Sequence, residues 1–95
     1  MTITKSSLLK RLPSTLSEKH EDYLIVLPSD KKNVIALNAT SQYLLTHCNQ
    51  KTVQTVCEEL FLLCNSSGDL DYDTVMAECL VALQEMVNKN IIQAL

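Results

Sequence analysis

The stretch Asn33-Val34-Ile35-Ala36-Leu37-Asn38 decides how this chain folds, because it runs from a strand directly into a helix. Residues 34–37 are all apolar and two of them are β-branched, which favours a short strand. Asn38 follows at once, and asparagine is among the best residues for capping the start of a helix. We therefore predict a junction between sheet and helix at Asn38.

A second apolar run precedes this strand. Residues 23–27 are five β-formers in a row, followed by Pro28, and residues 28–33 form a polar turn. The two runs predict an antiparallel hairpin. Residues 15–19 predict a weaker first strand, so the sheet has three strands.

The hairpin is apolar on both of its faces, whereas a sheet packed on one side normally has a polar outer face. Side chains alternate along a strand. One face therefore carries Leu24 and Val26, and the other carries Tyr23, Ile25 and Leu27. Three helices in so short a chain cover only one of these faces. The other needs the N-terminal arm, another subunit or a ligand as cover.

Three helices follow the sheet. Asn38 opens the first, over 39–48, with Leu44, Leu45 and Cys48 inward and Asn49-Gln50 as its end. Thr52 caps the second, whose apolar residues recur at helical spacing. These residues are Val53, Val56, Cys57, Leu60, Phe61 and Cys64.

The third helix is the longest and the most apolar. Asp71 caps it, it runs to about Lys89, and Asn90 takes the left-handed position after its end. Two apolar stripes run along it: Met76, Leu80, Leu83 and Val87 form one, and Val75, Cys79, Ala82 and Met86 form the other. Packing on one core needs a single stripe, so the second is either extra core or the wall of a groove.

Length and charge restrict the possible functions. The 95 residues predict one domain, which we place at 15–95 behind an N-terminal arm, residues 1–14, that is partly ordered. The net charge of −3, and the absence of Lys and Arg from the first two helices, argue against nucleic acid as a partner. No apolar run approaches a membrane span and no secretion signal is visible, which predicts a cytoplasmic protein without a membrane partner.

No chemistry of catalysis is visible in the sequence. The four cysteines lack metal-ligand spacing and are interpreted as free, small hydrophobes in a reducing compartment. There is no phosphate loop and no nucleophile motif, and His20 and His47 lie in polar surroundings. We therefore predict no enzyme, no metal and no cofactor.

In order, these elements resemble the PqqD-like family, the precursor-peptide recognition element of ribosomal peptide pathways. The resemblance covers about two thirds of the chain. It rests on residues 34–40, where the strand ends in Leu37-Asn38, on the helix-to-helix turn at 47–53, and on residues 79–83 and 90–92. Two departures are Asn49-Gln50 in place of Asp-Gly, and Asn90 in place of Gly. Asparagine is the second choice for left-handed positions, so these turns should survive.

The resemblance implies an α+β fold: a winged helix-turn-helix with an N-terminal three-stranded antiparallel sheet, a β-hairpin plus a weaker strand, before three α-helices. It implies binding of a precursor's leader peptide, which adds as a strand to the third strand and packs against the last helix. The chain would act in trans with a separate modifying enzyme: a radical-SAM protein, a cyclase or a protease. Carried over to this sequence, the peptide-binding residues are Asn33, Val34, Ile35, Ala36 and Leu37 on the strand, and Val75, Cys79, Ala82, Leu83 and Met86 on the helix.

Two alternatives stay open. The first is a structural adaptor or dimerising subunit of a modifying-enzyme complex, which docks on an enzyme or dimerises through its exposed sheet face or edge. The second is a DNA-binding winged-helix regulator, which would need a basic recognition helix that the sequence lacks.

Overall fold

The computed structural model describes residues 2–28, 34–65, 68 and 71–95. The elements in chain order are β1 (Leu8–Arg11), β2 (Ser14–His20), β3 (Tyr23–Pro28), β4 (Ile35–Leu37), α1 (Ala39–His47), β5 (Lys51–Thr52), α2 (Val53–Cys64), α3 (Tyr72–Asn88) and β6 (Ile92–Ala94). The predicted α+β class, with a three-stranded antiparallel sheet before three helices, is confirmed.

The predicted sheet is β2-β3-β4, antiparallel throughout. Leu24 faces Leu37 and Val26 faces Ile35, so these four side chains share the inner face. Val26 and Leu37 are buried in the core, while Leu24 and Ile35 pack partly against it. The polar turn predicted at 28–33 lies, beyond Pro28, outside the described residues.

A second sheet, β5-β1-β6, was not predicted. Its central strand β1 pairs antiparallel with β5 on one side and with β6 on the other. Leu9 in β1 is fully buried. Residues 8–11 of the predicted N-terminal arm are therefore built into the fold and tie the two ends of the described chain together.

The start of the arm packs on the last helix. The Ile3 side chain is buried, and the Ile3 backbone N–H donates to Gln84 Oε1 at 2.8 Å. The start of the arm therefore lies against α3.

The predicted helix starts are confirmed at two of three positions in full. Asn38 Oδ1 accepts from the Ser41 N–H, and Thr52 Oγ1 accepts from the Thr55 N–H. Asp71 is the N-cap of α3 but makes no side-chain bond to the backbone there. Its Oδ2 instead accepts from Thr74 Oγ1 at 2.6 Å.

The end of α3 has the predicted geometry. Asn90 has a φ of 61°, in the left-handed region. The Ile91 N–H donates to the Met86 carbonyl and the Asn90 N–H to that of Val87. This pair of bonds is a Schellman motif, and it turns the chain back into β6.

Gln50, and not Asn49, takes the left-handed conformation after α1, with a φ of 63°. We expected the asparagine to do so. Asn49 has a different role, because its Oδ1 accepts from the Arg11 N–H at 2.9 Å. The Gln50 N–H donates to the Leu9 carbonyl, so the turn anchors β1.

Gln50→Gly should raise the free energy of unfolding by about 0.5–1 kcal/mol, because glycine adopts this conformation without steric cost. Gln54→Gly, in the exposed first turn of α2, is the matched control and should lower it by up to about 1 kcal/mol, because glycine is a poor helix former and the bond from Gln54 Nε2 to Glu58 is lost. Urea unfolding followed by circular dichroism measures both. Destabilisation by Gln50→Gly as large as that of the control would contradict the turn described above.

Candidate functional site

The strand β4 has a free edge. It pairs with β3 on one side, and no described strand pairs with the other. It ends at Leu37, and Asn38 then starts α1. The backbone N–H and C=O groups on the outer side of β4 are therefore the site's first binding elements.

A groove of about 180 Å³ lies between this strand and α3. We call it the edge groove. It is lined by Tyr23, Ile35, Ala36, Leu37, Asn38, Ser41, Glu85 and Met86. No described residue of the N-terminal arm is among them, so the arm leaves this part of the surface open.

The side chain of Gln42 fixes one end of the groove. Its Nε2 donates to the carbonyl of Leu37 and to that of Asp22, each at 2.8 Å. These two bonds tie the end of β4 to the turn between β2 and β3. The strand edge and Tyr23 are thereby held in a fixed relation before any ligand binds, which lowers the entropic cost of binding.

The predicted strand residues lie along the edge groove. Ile35, half-buried, Ala36, exposed, and Leu37, buried, all line it. Val34 precedes them with 63% of its surface exposed. Asn33 lies outside the described residues.

The predicted helix residues are less well placed to contact a ligand. Met86 alone among them lines the edge groove, and it is 2% exposed. Cys79 and Leu83 are buried in the core, and Val75 and Ala82 are half-buried against it. The second apolar stripe of α3 is therefore mainly core, and the structure brings together Ile35, Ala36, Leu37 and Met86 out of the predicted set.

Sequence reasoning missed the polar residues of the groove. Tyr23, Ser41 and Glu85 line it, and Asn38 was assigned only a capping role. Tyr23 could have been found from the sequence, because it starts the apolar strand β3 and directly precedes Leu24, which pairs with Leu37 of β4. Glu85 directly precedes Met86, so a shift of one residue in helical phase identifies it.

Three of the four cysteines belong to the hydrophobic core. Cys48, Cys57 and Cys79 are buried and Cys64 is exposed, which corrects the inward position predicted for Cys64. Burial raises the pKa of Cys57 far above its ordinary value, and the adjacent Cys79 thiol raises it further. Burial also raises the pKa of Cys48 and of Cys79. Thiols held in the neutral form are poor nucleophiles.

One of the four thiols should therefore react rapidly with a thiol-specific reagent such as DTNB in the native protein, and all four should react in guanidinium chloride. Release of the coloured thiolate measures the number. Cys64→Ser is the control and should remove the rapid phase. A second rapid thiol in the native protein would contradict the burial described here.

The described residues contain no group of three or more His, Cys, Asp or Glu side chains placed to hold a metal ion. Of the described helices, none is long and apolar enough to cross a membrane.

Comparison with known proteins adds no relative. No protein-family model, no curated protein and no solved structure matches this chain. The resemblance to the PqqD-like family, and the site residues carried over from it, therefore stay predictions.

Proposed function

We propose that this protein binds the leader segment of a ribosomally made precursor peptide, which adds as a strand to the free edge of β4. It acts without catalysis, in the cytoplasm, and presents the peptide in trans to a separate modifying enzyme. The observation that carries the proposal is the unpaired edge of β4 beside a groove walled by α3.

Strand addition is the binding mode that this geometry supports best. An unpaired edge offers a row of backbone donors and acceptors, and a peptide that pairs with it gains main-chain hydrogen bonds. Val34 and Ala36 are both exposed, and their side chains are too small to obstruct such a strand. The bonds would set the register of the peptide.

The wall of the groove supplies the second element, contacts with side chains of the peptide. Its volume of about 180 Å³ is below the roughly 300–1,000 Å³ that is typical of small-molecule sites. A space of this size suits one side chain of an extended peptide. Ile35, half-buried, and Ala36, exposed, give it apolar surface, as expected for a pocket that contacts side chains of a bound strand.

The proposed partner enzyme is a radical-SAM protein, a cyclase or a protease, as the family resemblance implies. Binding in trans requires that one surface hold the peptide while others stay available to the enzyme. The edge groove lies between β4 and α3. Leu62 and Leu63, in the last turn of α2, are exposed and do not line this groove, so they stay available to the enzyme.

A titration tests the proposal. Fluorescent synthetic peptides covering the N-terminal halves of the short reading frames encoded beside this gene are mixed with the protein, and anisotropy is recorded. One of them should bind with a micromolar or lower Kd, and a scrambled peptide of the same composition is the matched control. Equal anisotropy curves for every leader and its scrambled control would contradict the proposal.

A homodimer or adaptor is the second candidate. It is favoured by the outer face of the β2-β3-β4 sheet, where Tyr23 and Ala36 are exposed and Ile25 and Leu27 are half-buried. Such a face, or the β4 edge itself, could pair with a second copy. Light scattering with and without peptide separates the two functions, because a dimer formed through β4 should dissociate when peptide binds.

A further inference from the structure

Glu85 is the charged residue of the edge groove. Among the described residues that line the groove, all others are apolar or neutral. Glu85 also lines a second groove, formed by α3 and the start of the chain, whose lining includes Ile3, Val81 and Gln84. Glu85 therefore lies at the boundary between the two grooves.

The carboxylate of Glu85 lacks a partner within the described chain. The ion pair found there is Lys51 with Glu59, at 2.8 Å, and it involves neither α3 nor β4. Lys89 lies one turn further along the same helix, at a spacing that permits pairing, but it forms no ion pair with Glu85. As far as the described residues go, Glu85 is thus available to bind a cation from outside.

The residues that line the edge groove with Glu85 include both apolar and polar side chains. Ile35 and Met86 line the groove next to the strand edge, and Tyr23 and Ser41 add hydroxyl groups. Lysine and arginine side chains combine an aliphatic stem with a charged end, and they bury the stem while the end stays in a polar environment. A half-buried isoleucine and a carboxylate that line the same groove match that chemistry.

We infer that the edge groove selects a peptide strand with a Lys or Arg at one fixed position, its stem against Ile35 and its cation on Glu85. This inference rests on the proposed function and specifies the class of peptide. An acidic residue at that position would be repelled, so the carboxylate also excludes wrong partners.

The test uses a random peptide display library, selected against the full chain and against three variants. Glu85→Gln removes the charge, and Glu85→Lys reverses it. Glu78→Gln is the matched control, because Glu78 is an exposed glutamate of the same helix that does not line the edge groove. Circular dichroism verifies that the variants, all at exposed positions, keep the fold.

Peptides selected by the wild-type protein should carry Lys or Arg at one position. A synthetic peptide from this set should bind Glu85→Gln about tenfold more weakly, as expected for loss of a charge-assisted hydrogen bond, and Glu78→Gln with unchanged affinity. Glu85→Lys should select Asp or Glu at the same position.

Three results would overturn the inference, and the third is distinguishable from the first two. If the selected peptides bind at β4 but lack a fixed basic position, or if Glu85→Gln and Glu78→Gln bind them equally, the role inferred for Glu85 is wrong and peptide binding stands. If no peptide is enriched over a bead-only selection, strand addition itself is contradicted, and the inference with it.

Discussion

Replacing Ile35 by proline should abolish peptide binding, with a loss of affinity of about 100-fold or more. Proline has no backbone N–H and cannot donate to a strand that pairs alongside it. In an antiparallel ladder the N–H groups of neighbouring residues point to opposite edges, so Ala36→Pro is made in parallel. Of these two variants, the one that removes an N–H on the outer edge should leave the β3–β4 pairing intact. The one that removes an N–H directed at β3 should disturb that pairing.

The opposite edge of the same sheet supplies the controls. Glu18→Pro and Lys19→Pro alter β2, which borders β3 on the side away from β4. Of these two β2 variants, the one that keeps the β2–β3 pairing stays folded and should bind peptide as the wild type does. Anisotropy gives the affinity and thermal denaturation the fold. Wild-type affinity in both β4 variants, each with a native melting transition, would exclude strand addition at this edge.

The second large effect concerns the core face of α3. Leu83→Ala should lower the free energy of unfolding by about 2–5 kcal/mol, because Leu83 is 0% exposed and its truncation leaves a cavity. That is a large part of the roughly 5–15 kcal/mol that stabilises a typical domain. Urea unfolding at several protein concentrations measures the change.

Val81→Ala is the matched control on the same helix, since Val81 is 67% exposed. It should change the free energy of unfolding by less than about 0.5 kcal/mol. If the two substitutions had equal effects on stability, the face of α3 that packs on the core would have to be reassigned. Leu83, which the family resemblance places in the binding wall, would then regain that role.

Elements with a strong local signal were predicted from the sequence. The hairpin of β3 and β4 follows from two runs of β-formers around a polar turn. The helix boundaries follow from capping residues, because Asn38 and Thr52 satisfy backbone donors within three residues of themselves. These features depend on residues that are close in sequence, so they can be recognised from a short stretch of the sequence alone.

The β5-β1-β6 sheet depends on distant residues and left no comparable signal. Its strands are short, and β1 contains Lys10 and Arg11, which are poor β-formers. The pairing of Leu9 with Ala94 joins residues from opposite ends of the chain. Burial of Leu9 and Ile92 stabilises that sheet, and burial of this kind is visible only in three dimensions.

The candidate site was half predictable. The free edge of β4 follows from its place as the last strand before a helix. The contribution of α3 was harder, because two apolar stripes lie side by side and the sequence alone does not say which faces the core. The structure places Cys79 and Leu83 in the core and gives the groove Glu85 instead.

The central claim is that a peptide pairs with β4, and nuclear magnetic resonance tests it most directly. In the complex with the tightest-binding leader peptide, we predict intermolecular NOEs between backbone protons of the peptide and those of Ile35–Leu37. The amides on the outer edge of β4 should also become protected from hydrogen exchange. Intermolecular NOEs confined to another surface, such as β6 or the end of α2 at Leu62 and Leu63, with β4 exchange unchanged, would contradict the claim.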